Sequence, residues 1–215
     1  MNKSTLTLAK ILAILAGIMG IEHGLGEVLE GNQPTEGVFI LSWPDAAFFE
    51  IMSGEPALTI IPNYLITGLL AILFSALFLA LVVSLHLRRK SLPYLGGLLM
   101  LMLLTGAGFG PPLLGTIAVL IALKGDAQLE TWSRLAQKWH RAFTRLWPWS
   151  LGICLLGWVM LFPGANLISY IGGVDSEWVM VLPLLVAFGM VPVTLLLGFS
   201  RDILLRGPEL SSQSS

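Results

Sequence analysis

Residues 56–85 read PALTIIPNYLITGLLAILFSALFLALVVSL, a run without one acidic or basic side chain. A transmembrane helix needs about 20 apolar residues to cross the roughly 30 Å of hydrocarbon in a bilayer, so this stretch is long enough to span a membrane. Basic residues follow almost at once, at positions 88–90. The stretch therefore predicts a transmembrane helix and places the chain among the integral membrane proteins.

Four more stretches carry few or no charges, namely residues 11–21, 91–123, 146–174 and 178–200. The whole chain is 55% hydrophobic and 12% charged, whereas soluble domains carry about 25% charged residues. Because each span takes about 20 residues, a chain of 215 residues that holds six spans has no room for a separate soluble domain. We expect a single integral membrane domain over residues 1–215.

The stretches at 11–21 and 91–123 do not match the length of one span. Residues 11–21 cover only about 16 Å at 1.5 Å per residue, so a span there must include flanking residues. Residues 91–123 are too long for one span, and the glycines and prolines at 106–112 predict a turn that divides them. The resulting hairpin either spans the bilayer twice or re-enters it from one side.

The predicted fold class is all-α, a polytopic transmembrane helical bundle with six spans. The spans are residues 6–26, 57–86, 92–109, 111–124, 147–170 and 178–200. Three further segments are an outer loop at residues 27–56, a cytoplasmic interfacial helix at residues 126–146, and a short polar tail at residues 201–215.

The basic residues orient these spans. All 12 lysines and arginines fall on one side of the six-span arrangement, and the opposite loops at 27–56, 108–112 and 175–177 contain none. Cytoplasmic loops of membrane proteins are enriched in Lys and Arg. Both termini are therefore predicted to be cytoplasmic, whereas five spans would put several arginines outside. The expected location is the plasma (inner) membrane.

The N-terminus admits one alternative, because Lys3 and Lys10 before an apolar run are typical of a secretory signal peptide. No Ala-x-Ala-like cleavage pattern follows Ile21, which argues against this interpretation. The single cysteine, Cys154, excludes an intramolecular disulfide. With neither a basic arm nor a nucleic-acid motif, the sequence gives no case for a nucleic-acid partner.

Two amphipathic segments lie between the spans. Residues 42–52, SWPDAAFFEIM, begin with a Ser-x-x-Asp capping pattern and predict a short helix on the outer surface. Residues 126–146 predict an inner helix that Asp126 caps, with Trp132, Trp139 and other apolar side chains on one face. Its opposite face is predicted to contact anionic lipid headgroups, unless the helix is a plain connector. That face carries Arg134, Lys138, Arg141 and Arg145.

The densest cluster of ionisable residues near the membrane is EHGLGEVLE at residues 22–30. On a helix, His23, Glu27 and Glu30 share one face at i, i+4 and i+7, while Glu22 points elsewhere. A stripe of small residues on the same helix is centred close to Glu27, and small residues mark the packing side of membrane helices. His23 and Glu27 are therefore predicted to face protein. The stripe consists of Ala9, Ala13, Ala16, Gly17, Gly20 and Gly24.

This cluster predicts an outward-facing pocket for a ligand or an ion. The helix at residues 42–52 is expected to close over it, with Trp43 or Phe48 as part of the lid. Since residues 27–56 contain no Lys or Arg, the compensating charge must come from protonated His23, a bound cation or a proton on Glu27. The alternative is a helix end whose acids lie in headgroup water. The predicted binding residues are His23, Glu27, Glu30, Trp43 and Asp45.

Metal and haem sites find less support. Glu36, Asp45 or Glu50 would have to supply further metal ligands, and the His-x-x-x-Glu spacing at His23 matches no zinc motif. His86 and His140 both fall near the cytoplasmic surface, where a shared haem is conceivable, but His86 adjoins the basic residues 88–90 and headgroup contact is the simpler role. We expect neither a cofactor nor a metal.

Two classes of function are left open. Breaks near Pro62, Pro111 and Pro163 interrupt the spans, and transporters bind solutes through such freed backbone groups, although proline is also ordinary in membrane helices. The breaks and the acidic pocket favour a translocator of a small solute, a cation or a proton. The short loops favour a non-catalytic subunit or scaffold that acts through a partner protein or lipid. A homo-oligomer fits either class. The sequence carries no catalytic signature, so an enzyme is the weaker class.

Overall fold

The computed structural model describes residues 3–43, 47–52, 54–85, 87–135 and 138–211, and this part of the chain is mostly helical. One small antiparallel ribbon interrupts the helices. In chain order the elements are α1 Lys3–Glu30, β1 Phe39–Ser42, a 3₁₀ helix Ala47–Met52, β2 Glu55–Leu58, α2 Tyr64–Leu85, α3 Leu92–Leu104, α4 Gly110–Leu135, α5 His140–Val159, a π-helical turn Met160–Gly164, α6 Ala165–Gly172 and α7 Trp178–Ser211.

Four helical segments within the described residues are long and apolar enough to cross a membrane. They are Lys3–Glu30, Tyr64–Ser84, His140–Gly172 and Trp178–Leu205. Two shorter apolar helices, Leu92–Leu104 and Gly110–Lys124, lie where the sequence predicts the hairpin of spans. At 1.5 Å per residue the first of these is only about 20 Å long. The prediction of a mostly helical chain with several helices able to span a membrane is therefore confirmed, and the six-span arrangement stays a prediction.

The chain divides into two compact units. The first unit comprises Met1–Leu8 and Lys124–Ser215, and the second comprises Ala9–Leu123. In the first unit α5 packs closely on α7, because Gly157 lies directly against the backbone of Ala187. The Trp158 ring contacts Phe188 at 5.0 Å between ring centroids. After α5 the helix is interrupted at Phe162, which has non-helical backbone angles, in agreement with the break predicted near Pro163.

The first unit also fixes the start of α1. The Asp202 carboxylate is buried near the end of α7. Its Oδ1 accepts a hydrogen bond from the Ser4 amide at 2.8 Å, and its Oδ2 accepts from the Thr5 amide at 3.0 Å and the Thr5 hydroxyl at 2.7 Å. The first amides of a helix have no intrahelical partner. A side chain nearly two hundred residues away therefore caps α1 at its N-terminus.

In the second unit, α1 and α2 meet along the stripe of small residues. The space beside Gly24 is filled by the Gly68 carbonyl and by Ile72, and a side chain at Gly68 would meet the backbone of Gly24 and Val28. Farther along α1, Gly20 lies against Ser75. Close backbone approach of this kind is what small residues permit in membrane helices. The predicted packing face of α1 is confirmed.

The helix predicted at residues 42–52 begins too early. Ser42 is the last residue of β1 and pairs with Glu55 across the ribbon, and Trp43 has a positive φ of 56°. Among the described residues of this segment, helical structure is found in the 3₁₀ helix Ala47–Met52, while residues 44–46, and with them Asp45, lie outside the described residues. Pairing with β2 holds Ser42 extended, and its hydroxyl donates a hydrogen bond to Glu27.

The inner helix predicted at residues 126–146 is not a separate element. Its first part belongs to α4, which runs through Asp126 to Leu135, and its last part begins α5 at His140. Trp132 and Trp139 both stack with Phe143, at 6.1 and 6.4 Å between ring centroids. These aromatic side chains of the predicted apolar face therefore pack on one another within the first unit. Likewise, α7 continues through the predicted polar tail to Ser211.

Candidate functional site

The candidate site lies in the second unit, at the last two turns of α1. His23 and Glu27 are one turn apart, and their exposed fractions are 3% and 0%. An ionisable side chain is almost never buried without partners. The prediction that both side chains face protein rather than lipid is therefore confirmed, and their surroundings determine what they can do.

His23 is held between a carboxylate and an indole. Its Nε2 atom pairs directly with Glu55 Oε2 on β2. Its ring stacks on Trp43, with 6.0 Å between centroids and 25° between planes. The other ring nitrogen, Nδ1, is buried and has no hydrogen-bond partner among the described residues. The imidazole is thus paired through Nε2, while no described residue forms a hydrogen bond with Nδ1.

Glu27 has one bound oxygen and one unpartnered oxygen. The Ser42 hydroxyl donates to Glu27 Oε1 at 3.3 Å. Glu27 Oε2 is buried and finds no hydrogen-bond partner within the described part of the chain. Taking a carboxylate out of water costs several kcal/mol unless it is paired or protonated. The site therefore contains a buried carboxylate oxygen that the described residues leave without a partner.

The turn between α3 and α4 covers both side chains. Gly106 and Gly108 have positive φ values of 84° and 72°, which favour glycine. A methyl group at Gly106 would overlap the Glu27 carboxylate, and one at Gly108 would overlap the His23 imidazole. The backbone of the turn thus lies in direct contact with both polar groups, which explains the need for glycine at each position.

The ribbon and this turn are joined by backbone hydrogen bonds. The Gly106 amide donates to the Leu58 carbonyl at 2.9 Å, and the Ile60 amide donates to the Leu104 carbonyl at 3.0 Å. Between them, Thr59 forms a bridge with Thr105. The ribbon therefore supplies Ser42, Trp43 and Glu55 to the site while it holds the glycine turn in place.

A third glycine, Gly26, leaves space for the indole of Trp43. Gly26 on α1 lies so close to the Trp43 ring that a side chain there would occupy the same space. Trp43 itself is 6% exposed, although it leaves β1 with a positive φ. The tryptophan thus covers one face of His23 and fills the space beside Gly26. That it forms part of a lid over a pocket stays a prediction.

The structure brings together three of the five predicted binding residues. His23, Glu27 and Trp43 are in one cluster, Glu30 is half-buried at the last residue of α1, and Asp45 lies outside the described residues. Whether any of them binds a ligand stays a prediction.

The sequence interpretation missed Glu55 and the role of Ser42, and it directed Glu22 away from the cluster. One Glu22 oxygen is buried, and its carboxylate lies within electrostatic reach of Glu55. The signal for Glu55 is the register of the ribbon, which places it opposite Ser42. That register depends on pairing between segments twelve residues apart.

Within the residues that the structure describes, no group of three or more His, Cys, Asp or Glu side chains could hold a metal ion. Of the two histidines considered for haem, His86 lies outside the described residues. The cluster instead combines three carboxylates and one imidazole, and no lysine or arginine occurs anywhere in residues 11–87. Such a set can accept protons or a positively charged ligand.

Comparison with known proteins adds no further assignment. No protein-family model, no curated protein and no solved structure matches the chain.

Proposed function

We propose that this chain is a multi-span membrane protein that translocates a proton or a small cation through the pocket formed by Glu22, His23, Glu27 and Glu55. The observation that carries the proposal is the fully buried Glu27 carboxylate, which has one oxygen without a partner beside the His23–Glu55 pair. Ionisable residues within membrane segments are rare and mark ion or substrate pathways.

The charge balance of the pocket favours a positive occupant. Three carboxylates face one imidazole, so even a protonated His23 offsets only one of them. The nearest basic residues in the sequence are Lys10 and Arg88, since residues 11–87 contain no other. Buried charges persist only when they are paired. Bound protons or a bound cation supply the compensation, and an anionic solute is disfavoured.

We propose that the chain crosses the plasma (inner) membrane six times. In this topology both termini lie in the cytoplasm and the pocket faces the outside of the cell. The contact between Asp202 on α7 and the start of α1 supports an even number of crossings, because it brings both helix ends to one side. Glu27 lies 17 residues beyond Lys10 on α1, about 26 Å at 1.5 Å per residue. The acidic and basic ends of α1 are thus separated by nearly one hydrocarbon thickness.

The short helices α3 and α4 complete this topology. Leu101 and Leu113 are exposed on them, as is Leu120, which suits contact with lipid. Two such short spans fit a locally thinned bilayer, or a bilayer in which flanking residues of each helix lie at the interface. On the cytoplasmic side, Lys138, Arg141 and Arg145 are exposed and would contact anionic headgroups, while the side chain of Arg134 lies outside the described part.

Flux into proteoliposomes tests the proposal. We expect purified protein to carry protons or a monovalent cation down an imposed gradient, as read by a fluorescent dye inside the vesicles. Glu27→Gln keeps the size of the side chain but removes its charge, and flux should fall to the level of empty liposomes. Glu36→Gln is the matched control, because Glu36 is exposed in the loop. Equal flux for both variants would exclude the pocket as the pathway.

A scaffold role has one observation in its favour. The ribbon buries Ile40 and exposes Phe39 and Leu41, and Val38 and Ile60 beside it are more than half exposed. Exposed apolar patches mark interaction surfaces. A partner that co-purifies at fixed stoichiometry, and is lost on replacing Phe39 and Leu41 with serine, would favour the scaffold. A homo-oligomer that moves cations or protons would favour the translocator.

A further inference from the structure

We infer that the pocket takes a proton rather than a metal cation or a larger solute, and that the proton is held at Glu27 beside the His23–Glu55 pair. The inference narrows the proposed function to one ligand, and it rests on that function only for the transport step. It depends on how closely the walls of the pocket approach the polar atoms.

Two walls of the site lie in close contact with the polar groups. Gly106 lies against the Glu27 carboxylate and Gly108 lies against the His23 imidazole, so closely that a single added methyl group would overlap either one. On the ribbon side, Trp43 stacks on His23 and fills the notch at Gly26. On these two sides, beside Glu27 and beside His23, there is no space for a group as large as a methyl.

The unpartnered atoms have the chemistry of proton acceptors. Glu27 Oε2 and His23 Nδ1 belong to side chains that are more than nine-tenths buried, and both lack hydrogen-bond partners among the described residues. A proton needs only one lone pair. Calcium takes six to eight oxygen ligands, and magnesium requires near-octahedral geometry and retains waters. Among the described residues, no group of three or more His, Cys, Asp or Glu side chains could hold such an ion.

Most of the titratable groups around Glu27 are acidic, and none of those described is a lysine or an arginine. On α1 it is flanked by Glu22, His23 and Glu30; β2 contributes Glu55, and the hydroxyl of Tyr64 at the start of α2 lies within electrostatic reach. The glycine turn and the end of β1 contribute no titratable group. Without a lysine or arginine among these neighbours, an ionised Glu27 would be a buried negative charge. Protonation removes that charge at the place where the walls are closest.

Infrared spectroscopy of protein in lipid vesicles tests the inference without measuring transport. A protonated carboxyl group has its own carbonyl stretching band, separate from that of a carboxylate. We expect the band of one buried carboxylic acid, which disappears on titration to alkaline pH and is unchanged by sodium, potassium or calcium at constant pH. Saturable loss of the band on adding one of these cations would mean that a cation displaces the proton and would overturn the inference. Absence of the band at neutral pH would overturn it too.

Assignment of the band needs two variants. Glu27→Gln should remove it, and Glu36→Gln should leave it unchanged. If Glu27→Gln is not recovered as folded protein, Glu27→Asp should shift the band instead, and the wild-type titration with cations needs no variant at all. A band that survives in Glu27→Gln would place the proton elsewhere. A chain that binds the proton in this assay but carries no flux would refute the proposed function and leave the binding site standing.

Discussion

Asp202 offers the sharpest test of how this chain is held together. Its carboxylate accepts three hydrogen bonds from Ser4 and Thr5, at 2.7 to 3.0 Å, and both acceptor oxygens are used. All three residues are buried, with exposed fractions of 2 to 3%. In Asp202→Ala, two helix amides and one hydroxyl would lose their acceptor at a buried site where water does not readily replace it.

The magnitude follows from the kinds of hydrogen bond that are lost. Removing an N-cap acceptor costs about 1 kcal/mol, and a hydrogen bond to a charged group contributes about 1.5–3 kcal/mol. Because the losses share one side chain and do not add fully, we expect Asp202→Ala to lower the free energy of unfolding by about 2–4 kcal/mol. Thr5→Val removes only the hydroxyl, which donates to the same carboxylate, so its cost should be about 1.5–3 kcal/mol.

Denaturation in mild detergent, followed by tryptophan fluorescence, measures these differences. Asp175→Ala is the control, since Asp175 is an exposed acid in the same unit. In the double variant Asp202→Ala, Thr5→Val, the second change should cost almost nothing, because the hydroxyl has already lost its acceptor. Fully additive costs, or equal effects of Asp202→Ala and Asp175→Ala, would show that Asp202 does not cap α1.

Three further predictions concern the site, the lipid contact and the orientation. Gly106→Ala should destabilise the fold by about 2–5 kcal/mol, from the left-handed backbone and the overlap together, whereas Gly110→Ala, which meets open space, should have little effect in the same denaturation assay. Changing the four cations of the predicted inner helix (residues 126–146) to Gln should weaken binding of the protein to anionic vesicles in a flotation assay without preventing membrane insertion. Unchanged binding would refute the prediction that these side chains contact lipid headgroups. In a Cys154→Ala background, cysteines at Gln33 and Ser176 should react with impermeant reagents from outside, and labelling only from the cytoplasm would reverse the orientation. The four cations are Arg134, Lys138, Arg141 and Arg145.

The parts of the fold that the sequence predicted are those that depend on local periodicity. Spacing alone places His23 and Glu27 on the side of α1 that carries the small residues, and the contact between Gly24 and Gly68 shows the reason, since only that side approaches α2 closely. Likewise, the charge-free stretch at residues 56–85 contains α2. These features follow from one helix and its immediate surroundings.

The parts that the sequence did not predict depend on pairing between distant residues. Each strand of the ribbon has only four residues, and β2 contains Pro56, so neither carries a clear strand signal. The pattern from Ser42 to Asp45 resembles a helix cap, but pairing with Glu55 decides the conformation of Ser42. Asp202 caps a helix that begins nearly two hundred residues earlier, which no local pattern reveals.

If a proton binds at Glu27 as proposed, the exposed fractions of the three side chains suggest the order in which a proton from solvent would reach them. The side chain of Glu55 is 17% exposed and that of His23 is 4% exposed, while Glu27 is completely buried. A proton that enters at Glu55 would meet the imidazole first, and His23 is directly paired with that carboxylate. The ribbon carries Glu55, Trp43 directly follows β1, and the ribbon is hydrogen-bonded to the glycine turn that lies against Glu27. The groups that contact His23 and the wall against Glu27 therefore belong to one hydrogen-bonded unit, so a substitution that shifts the ribbon would change the surroundings of both side chains.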